Sequence, residues 1–152
     1  MGVLILSGSS NDKPFLEPAI KLFCDWGIPH EYVVASAHRQ PEKLKPLVTN
    51  AKDKGFKVII AAAGFAAHLA GICAAYTTLP IIALPICPES NTLGGLDSLL
   101  SMVQMPSGVP VATVGINQGK NAAILAAQIL GTSNADISNR LIALKNQMAN
   151  AQ

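Results

Sequence analysis

The sequence predicts an α/β fold built on a parallel sheet, and three observations support this fold class. Short apolar runs rich in valine and isoleucine recur along the chain, separated by helix-like segments. Apolar and polar residues rarely alternate within these runs, which is typical of strands buried on both faces of a sheet. The 152 residues suit one domain and are too few for an eight-stranded α/β barrel. We therefore expect five βα units in a doubly wound, three-layer α/β/α sandwich, one domain over residues 1–152.

Five apolar runs are the candidate strands, and a helix-like segment follows each of them. The predicted strands are VLILS (3–7), EYVVAS (31–36), KVIIAAA (57–63), PIIALPI (80–86) and VPVATVGI (109–116). The predicted helices are 14–26, 41–54, 66–76, 95–104 and 120–131, with a final amphipathic helix at 135–149. Pro41 and Gly55 mark the start and end of the second helix, whereas Pro46 inside it predicts a kink or a later start.

The composition is apolar for a soluble protein of this size. Half of the residues are hydrophobic, 13% are charged, and the mean hydropathy is +0.38. A small monomer needs charged side chains to cover its surface, so we expect the apolar excess to cover the interfaces of a homo-oligomer. No apolar run reaches the roughly 18 residues of a membrane span. A formal net charge of +2 gives no footprint for nucleic acid. We expect neither a membrane nor a nucleic-acid partner.

Two further features predict a cytoplasmic protein. The first ten residues lack the basic region and the long apolar stretch of a signal peptide. The three cysteines, Cys24, Cys73 and Cys87, are odd in number and show no C-x-x-C spacing. We expect free thiols in a reducing compartment, buried as small hydrophobic residues.

Polar and small residues collect in the segments that follow the predicted strands. These segments are GSSND (8–12), SAHRQP (36–41), AGFAAHLAG (63–71), PESNTLGGLDS (88–98) and INQGKN (116–121). Ligands bind beyond the carboxyl ends of the strands in an open parallel sheet. The five loops are therefore expected to form the rim of one pocket.

The segment GSSND has two interpretations. As an anion cradle, Gly8 permits close backbone approach, Ser9 and Ser10 offer hydroxyls, and the next helix presents free N–H groups. As a helix cap, Ser10, Asn11 or Asp12 performs a structural task with the same residue types. Asp12 is poorly suited to phosphate but could accept hydrogen bonds from ribose. The segment is neither a Walker A loop nor a G-x-G-x-x-G fingerprint.

Three side chains in the next two loops are candidates for chemistry. Arg39 suits bidentate recognition of a phosphate or carboxylate, or is a solvated residue at a helix start. His38 can give and take a proton near neutral pH, or is structural. His68 lies among small residues and either lines the pocket or makes a structural hydrogen bond. Two histidines without a third ligand predict no metal site, and the missing G-x-S-x-G elbow disfavours a hydrolase.

These motifs, in this order and spacing, resemble the class I 5-(carboxyamino)imidazole ribonucleotide mutases of bacterial purine biosynthesis. The resemblance runs from about residue 3 to 131 and includes GGLDSLLSMVQMPSGVPVATV and NAAILAAQIL. It implies a flavodoxin-like sandwich, assembly as a homo-octamer, and a ribonucleotide substrate. Members of the family move a carboxylate from the exocyclic nitrogen of an aminoimidazole to the neighbouring ring carbon. The resemblance implies that no metal or organic cofactor takes part.

The resemblance also implies roles for individual residues. The catalytic acid and base is His38. The implied substrate-binding residues are Ser9, Asp12, Ser36, Arg39, Gly64 and His68. Among them Ser9 and Arg39 hold the phosphate and Asp12 the ribose. Gly64 and His68 line the space for released carbon dioxide.

The chain departs from the usual family pattern at three positions. Asn11 stands where serine is usual, Phe65 where glycine is usual, and Ala70 where proline is usual. None of these changes removes a group with an implied catalytic role. Two alternatives remain: direct carboxylation of aminoimidazole ribonucleotide, as in class II members, and a nucleotide-binding module without catalysis. Class II members carry a lysine after the motif histidine and a serine-rich third loop, so Arg39 and His68 favour class I.

Overall fold

The computed structural model describes residues 2–151, which contain a five-stranded sheet with parallel pairing throughout. The strands are β1 (Gly2–Ser7), β2 (His30–Val34), β3 (Phe56–Gly64), β4 (Ile81–Ile86) and β5 (Ala112–Thr113). Their order across the sheet is β2-β1-β3-β4-β5, the flavodoxin-like order. The winding of the chain reverses between β1 and β3, and this reversal is the position at which such sheets bind ligands.

Six α-helices cover the two faces of the sheet. They are α1 (Lys13–Trp26), α2 (Pro41–Thr49), α3 (Leu69–Tyr76), α4 (Leu96–Val103), α5 (Gly119–Gly131) and α6 (Ala135–Ala149). Buried residues of α1, α5 and α6 form one hydrophobic cluster with the sheet, and buried residues of α2, α3 and α4 form a second. The result is the three-layer sandwich that the sequence predicts. None of the helices within residues 2–151 has both the length and the apolarity to cross a membrane.

The apolar runs follow from burial on both faces. In β1, Val3 and Ile5 belong to the first cluster, whereas Leu4 and Leu6 belong to the second. All four side chains are almost fully buried. Successive side chains of a strand point to opposite faces, so a strand covered by helices on both sides must be apolar at every position.

The fifth strand is much shorter than predicted. The sequence predicts a strand over 109–116, but only Ala112 and Thr113 pair with β4. Pro110 has no N–H to donate to a ladder, and β5 lies at the edge of the sheet, where no further strand extends the pairing. The second strand also ends early, at Val34, so that Ser36 lies in the loop beyond it.

Two helix boundaries differ from the prediction. Helix α2 begins at Pro41 as expected and contains Pro46, but it ends at Thr49 rather than near residue 54. Turns occupy the residues up to Gly55, whose φ of 89° requires a glycine. Helix α3 begins at Leu69, three residues late, because the preceding residues form a bend in which the His68 N–H donates to the Ala66 carbonyl.

The cysteines are free, and only one of them is a core residue. Cys73 is buried in α3, and burial raises the pKa of its thiol to about 12. Cys24 is exposed and Cys87 is partly buried, so the expectation that all three are buried is wrong. The pattern behind that expectation was residue type alone, which does not distinguish the two faces of an amphipathic helix.

Candidate active site

A cavity of about 480 Å³ opens beyond the carboxyl ends of β1, β2 and β3, at the reversal of the sheet. Its volume is within the range of small-molecule sites. The lining residues come from four loops: Gly8, Ser9, Asn11, Asp12, Ser36, Ala37, His38, Arg39, Ala63, Gly64, Phe65, Ala66, His68, Leu69, Pro88 and Ser90. The first two loops supply most of the polar side chains and are called the polar side here, whereas the end of β3 supplies small apolar residues.

The loop after β1 is held by its own polar side chains. Ser9 caps a short 3₁₀ helix (Ser10–Asp12), its hydroxyl accepting a hydrogen bond from the Asn11 N–H at 3.2 Å. In return the Asp12 carboxylate accepts from the Ser9 N–H at 2.9 Å. The Ser7 hydroxyl donates to the Ser9 carbonyl at 2.8 Å. The capping interpretation is thus confirmed, with Ser9 rather than a later residue as the cap, and the same loop lines the cavity.

Asp12 is a partly buried carboxylate with opposing influences on its charge. Burial raises the pKa of Asp12 above its ordinary value of 3.8, because a carboxylate loses hydration there. Hydrogen bonds from the backbone of Ser9 and Gly8 and the positive charge of Arg39 act in the opposite direction. Burial is the largest of these effects, so the fold disfavours the ionised form.

Arg39 joins the first two loops across the polar side of the cavity. Its Nη2 donates to the Gly8 carbonyl at 3.1 Å, and its Nε donates to the Ser36 hydroxyl at 3.4 Å. The same hydroxyl accepts from the Arg39 backbone N–H at 3.2 Å. A guanidinium carries five N–H donors, so these contacts orient the group and leave other donors for an anion.

The two histidines of the cavity are in direct contact. Nε2 of His38 lies 3.0 Å from Nδ1 of His68, and the rings are nearly perpendicular, with centroids 5.0 Å apart. One of these nitrogens must carry the hydrogen and the other must offer its lone pair. While this bond exists, at most one ring is an imidazolium. The pair is therefore a place in the cavity where one proton can be held or transferred.

The end of β3 forms the apolar side of the cavity. Ala63, Gly64 and Ala66 line it beside the histidine pair. A Cβ atom at Gly64 would lie 3.1 Å from the Ile86 carbonyl oxygen, closer than side chains normally approach. The absence of a side chain at Gly64 thus lets β3 and β4 pair closely at Gly64 and Ile86.

The fifth loop supports the fourth loop and does not line this cavity. The amide of Asn117 pairs with the backbone of Cys87: Oδ1 accepts from its N–H at 2.8 Å, and Nδ2 donates to its carbonyl at 3.1 Å. Residues 88–98 contribute only Pro88 and Ser90 to the cavity. Four loops form the rim, so the expectation of five is wrong: residues 116–121 do not line the cavity, and Asn117 instead bonds to Cys87 at the start of the fourth loop.

Metal ligation finds no support within residues 2–151, where no three His, Cys, Asp or Glu side chains group together to hold an ion. The polar side-chain groups that line the cavity are hydroxyls, one amide, one carboxylate, one guanidinium and two imidazoles. This set suits an anionic, polar organic molecule.

A family model described as AIR carboxylase matches residues 2–151. The chain belongs to this family.

Known members resemble the chain over nearly its whole length. N5-carboxyaminoimidazole ribonucleotide mutase of Pyrococcus horikoshii is 50% identical over 137 residues, 90% of this chain and 76% of that protein. The mutase of Thermotoga maritima is 47% identical over 144 residues, covering 95% and 83%. A crystal structure of Treponema denticola PurE has a TM-score of 0.87 at 29% identity, covering 98% of this chain and 92% of that one. The AIR carboxylase family thus accounts for both the sequence and the fold.

All seven predicted site residues of this AIR carboxylase family member line the same cavity, and their roles stay predictions. The sequence did not reveal that His38 and His68 touch, because they are 30 residues apart. The sequence predicted the 88–98 loop as part of the rim, but it did not single out Pro88 and Ser90 as the residues of that loop that line the cavity. Their place directly after β4 was the available signal, and the long glycine-rich loop around them obscured it.

Proposed function

We propose that the chain is a mutase that isomerises 5-(carboxyamino)imidazole ribonucleotide to 4-carboxy-5-aminoimidazole ribonucleotide in purine biosynthesis. The observation that carries the proposal is the His38–His68 pair, at 3.0 Å, in a cavity that Arg39, serine hydroxyls and small apolar residues also line. Membership of the AIR carboxylase family supports it, as do the relatives that carry the mutase name.

The polar side of the cavity is proposed to bind the ribose phosphate. Arg39 and Ser9 hold the phosphate, since the guanidinium is already oriented by its bonds to the first two loops. Ser36 keeps Arg39 in place through its hydroxyl. Asp12 accepts hydrogen bonds from the ribose hydroxyls. These contacts place the imidazole ring towards the histidine pair.

The reaction requires His38 to donate one proton to the substrate and later to recover one from it. His38 protonates the carbamate nitrogen. The bond between this nitrogen and the carboxylate carbon then breaks, which releases carbon dioxide and yields a neutral amine. The neighbouring ring carbon then attacks carbon dioxide, and His38 removes the hydrogen of that carbon. No net proton is consumed, and the steps as written need neither metal nor organic cofactor. Holding the reactants together can lower the barrier by roughly 7–11 kcal/mol in favourable cases.

Carbon dioxide must stay in the cavity between the two half-reactions. It is small and uncharged, so a flat apolar wall suits it better than a polar one. Gly64 and His68 line this part of the cavity. Because His68 contacts His38, the released molecule is held beside the group that moves the proton.

The proposal extends to the whole molecule: one domain over residues 1–152, a homo-octamer, and a cytoplasmic location. Support for self-association comes from the apolar composition and from exposed apolar side chains on α3 and α4. The octameric number is implied by the resemblance to the family.

The first test replaces His38 with asparagine. H38N is expected to fold, to keep nucleotide affinity within a few-fold, and to lose isomerisation by about 10²–10⁴-fold, the contribution typical of a positioned acid and base. The matched control is H30N, because His30 lies outside the cavity and contacts the Ile28 carbonyl. H30N should isomerise like the wild type. An H38N enzyme with wild-type turnover would contradict the assignment of the proton to His38.

The family description raises direct carboxylation of aminoimidazole ribonucleotide as a second candidate. Turnover of the carbamate and of aminoimidazole ribonucleotide with carbon dioxide should be compared on the same preparation. The mutase proposal expects faster turnover of the carbamate, and the reverse order would replace it with a carboxylase. A protein that binds the nucleotide and turns over neither would be a binding module.

A further inference from the structure

Phe65 adopts a backbone conformation that its residue type disfavours. Its φ is 54°, and within residues 2–151 the only other non-glycine residue with positive φ is Asn117. Asparagine enters the left-handed region more readily than most residues do, whereas for a bulky side chain this conformation is an outlier. Such outliers cluster at functional sites, where the surrounding structure fixes them.

The Phe65 ring contributes little to the core. Phe65 is 49% exposed, although Ala67, two residues later, is fully buried. About half of the residue's surface stays in water and Phe65 belongs to neither core cluster, so core packing does not account for a phenylalanine here. Phe65 also lines the cavity, on the loop that carries His68. A partly exposed aromatic ring, on a residue with a disfavoured backbone conformation, therefore lines the candidate active site.

The chemistry of the cavity leaves one part of a nucleotide without a partner. Arg39 and Ser9 suit the phosphate, Asp12 suits the ribose, and the histidines suit the atoms that react. Among the residues that line the cavity, Phe65 is the only aromatic one apart from the two histidines. A flat heterocycle is favoured by an aromatic face, which stacks on it without needing a specific hydrogen bond.

We propose that the ring of Phe65 is the stacking surface for the imidazole ring of the substrate. The inference rests on the proposed function for the identity of the ligand. It assigns Phe65 a binding role that fixes the plane of the heterocycle, so that the exocyclic nitrogen and the ring carbon both face the histidine pair.

Three substitutions of Phe65 distinguish the effect of its aromatic ring from the effects of its backbone conformation and of its apolar volume. F65N removes the ring with a residue that tolerates positive φ. F65L keeps apolar bulk without a flat face, and F65Y keeps the ring. Binding of aminoimidazole ribonucleotide and of ribose 5-phosphate is measured by calorimetry for each, with thermal unfolding as a check that the variants are folded.

Stacking predicts that F65N and F65L bind aminoimidazole ribonucleotide about 10-fold or more weakly, as expected for loss of one stacked base. F65Y should bind within a few-fold of the wild type. Ribose 5-phosphate, which lacks the heterocycle, should bind all four proteins alike. Wild-type affinity of F65L for the nucleotide would overturn the inference, and so would an equal loss of ribose 5-phosphate binding in F65N.

This outcome is distinguishable from failure of the proposed function. Isomerisation by the wild type tests the function, whereas the difference between the two ligands across the Phe65 variants tests the stacking. If the wild type does not isomerise the carbamate but the ring still discriminates the two ligands, only the proposed reaction is wrong. If isomerisation is present and the ring makes no difference, only the stacking is wrong.

Discussion

Asp12 both shapes the first loop and faces the cavity. Its carboxylate accepts the Ser9 N–H, so the loop that lines the site depends on it. Burial of the carboxylate at this position raises the pKa of Asp12. Burial of this carboxylate lowers the folding stability at neutral pH, and the carboxylate lines the cavity.

Replacing Asp12 with asparagine should make the protein more stable at pH 7. A raised pKa in the folded state means that the contribution of Asp12 is favourable below its ordinary pKa of 3.8 and is lost as pH rises through the raised value. Asparagine is neutral and keeps an oxygen that can accept the Ser9 N–H. The free energy of unfolding of D12N should thus exceed that of the wild type at pH 7, and the difference should shrink towards pH 4. Denaturant unfolding across this range measures it.

The control for Asp12 is the same substitution in an exposed ion pair. Asp25 accepts from Lys21 one helical turn away, and D25N should cause a small loss of stability. Nucleotide binding should weaken in D12N and stay unchanged in D25N. Lower stability of D12N than of the wild type at pH 7 would show that the hydrogen bonds to the carboxylate outweigh its burial.

At this scale the sequence predicts residue types better than contacts. Position after a strand was enough to select His38, Arg39 and His68 as candidates. It could not show that the two imidazoles share a hydrogen bond, because that depends on how far β2 and β3 extend before each loop begins. For the same reason, the sequence could not predict that the Arg39 side chain reaches the Gly8 carbonyl.

At the scale of elements, the fifth loop positions the fourth. Asn117 holds both backbone groups of Cys87 from a left-handed conformation, φ 60°. Gly95, in the fourth loop, packs so closely that an added Cβ would lie 2.8 Å from the Cβ of Cys87. The fourth loop is therefore fixed at Cys87 and at Gly95, and the cavity residues Pro88 and Ser90 lie between these two positions.

Removing the Asn117 amide should loosen the fourth loop. N117G keeps the positive φ accessible and deletes both hydrogen bonds, and we expect it to lose about 1–2 kcal/mol of unfolding free energy. N117A should lose more, because alanine also resists the left-handed conformation. Hydrogen exchange of the Cys87 amide should accelerate in both variants. If N117G matches the wild type in stability and exchange, the two bonds do not hold the loop.

The elements themselves were predictable where burial decides them. Five strands and six helices follow from apolar periodicity, and β1, β3 and β4 lie close to their predicted bounds because they are covered on both faces. Two of the errors fall where burial is weak, whereas β2 ends before the buried residues Ala35 and Ser36. The edge strand β5 keeps two paired residues of a predicted eight, and α2 ends five residues early in an exposed turn. Periodicity carries little information about ends that contact water.

At the scale of the whole molecule, periodicity predicted parallel strands in a doubly wound sheet but not their order. That order, β2-β1-β3-β4-β5, places β1 and β3 side by side and thereby brings the loops after them together. Long-range pairing of this kind is not encoded in any one segment, and only the resemblance to a known family implied it. The cavity at the reversal is a consequence of the order.

The surface of the molecule carries an apolar face on α4. Leu96, Leu100 and Val103 recur at helical spacing, and each is about half exposed. Leu93 precedes them in the loop and is more exposed still. Exposed large apolar side chains are costly in water, and burying a leucine fully is worth roughly 1.5–3 kcal/mol. With so few charged residues in the chain, a second copy of the protein is the partner that this face suits.

Introducing a charge on the α4 face should therefore prevent the self-association that we propose. The double variant L96E/L100E places two carboxylates where we expect a dry contact between subunits, and an unpaired buried charge costs far more than the lost apolar contact. The variant should sediment as a smaller species than the wild type while keeping its far-ultraviolet circular dichroism, because both side chains lie outside the core clusters. L100M, which keeps the apolar surface, is the matched control and should assemble normally. A wild-type sedimentation coefficient for L96E/L100E would mean that the subunits meet through another face and that α4 stays in water.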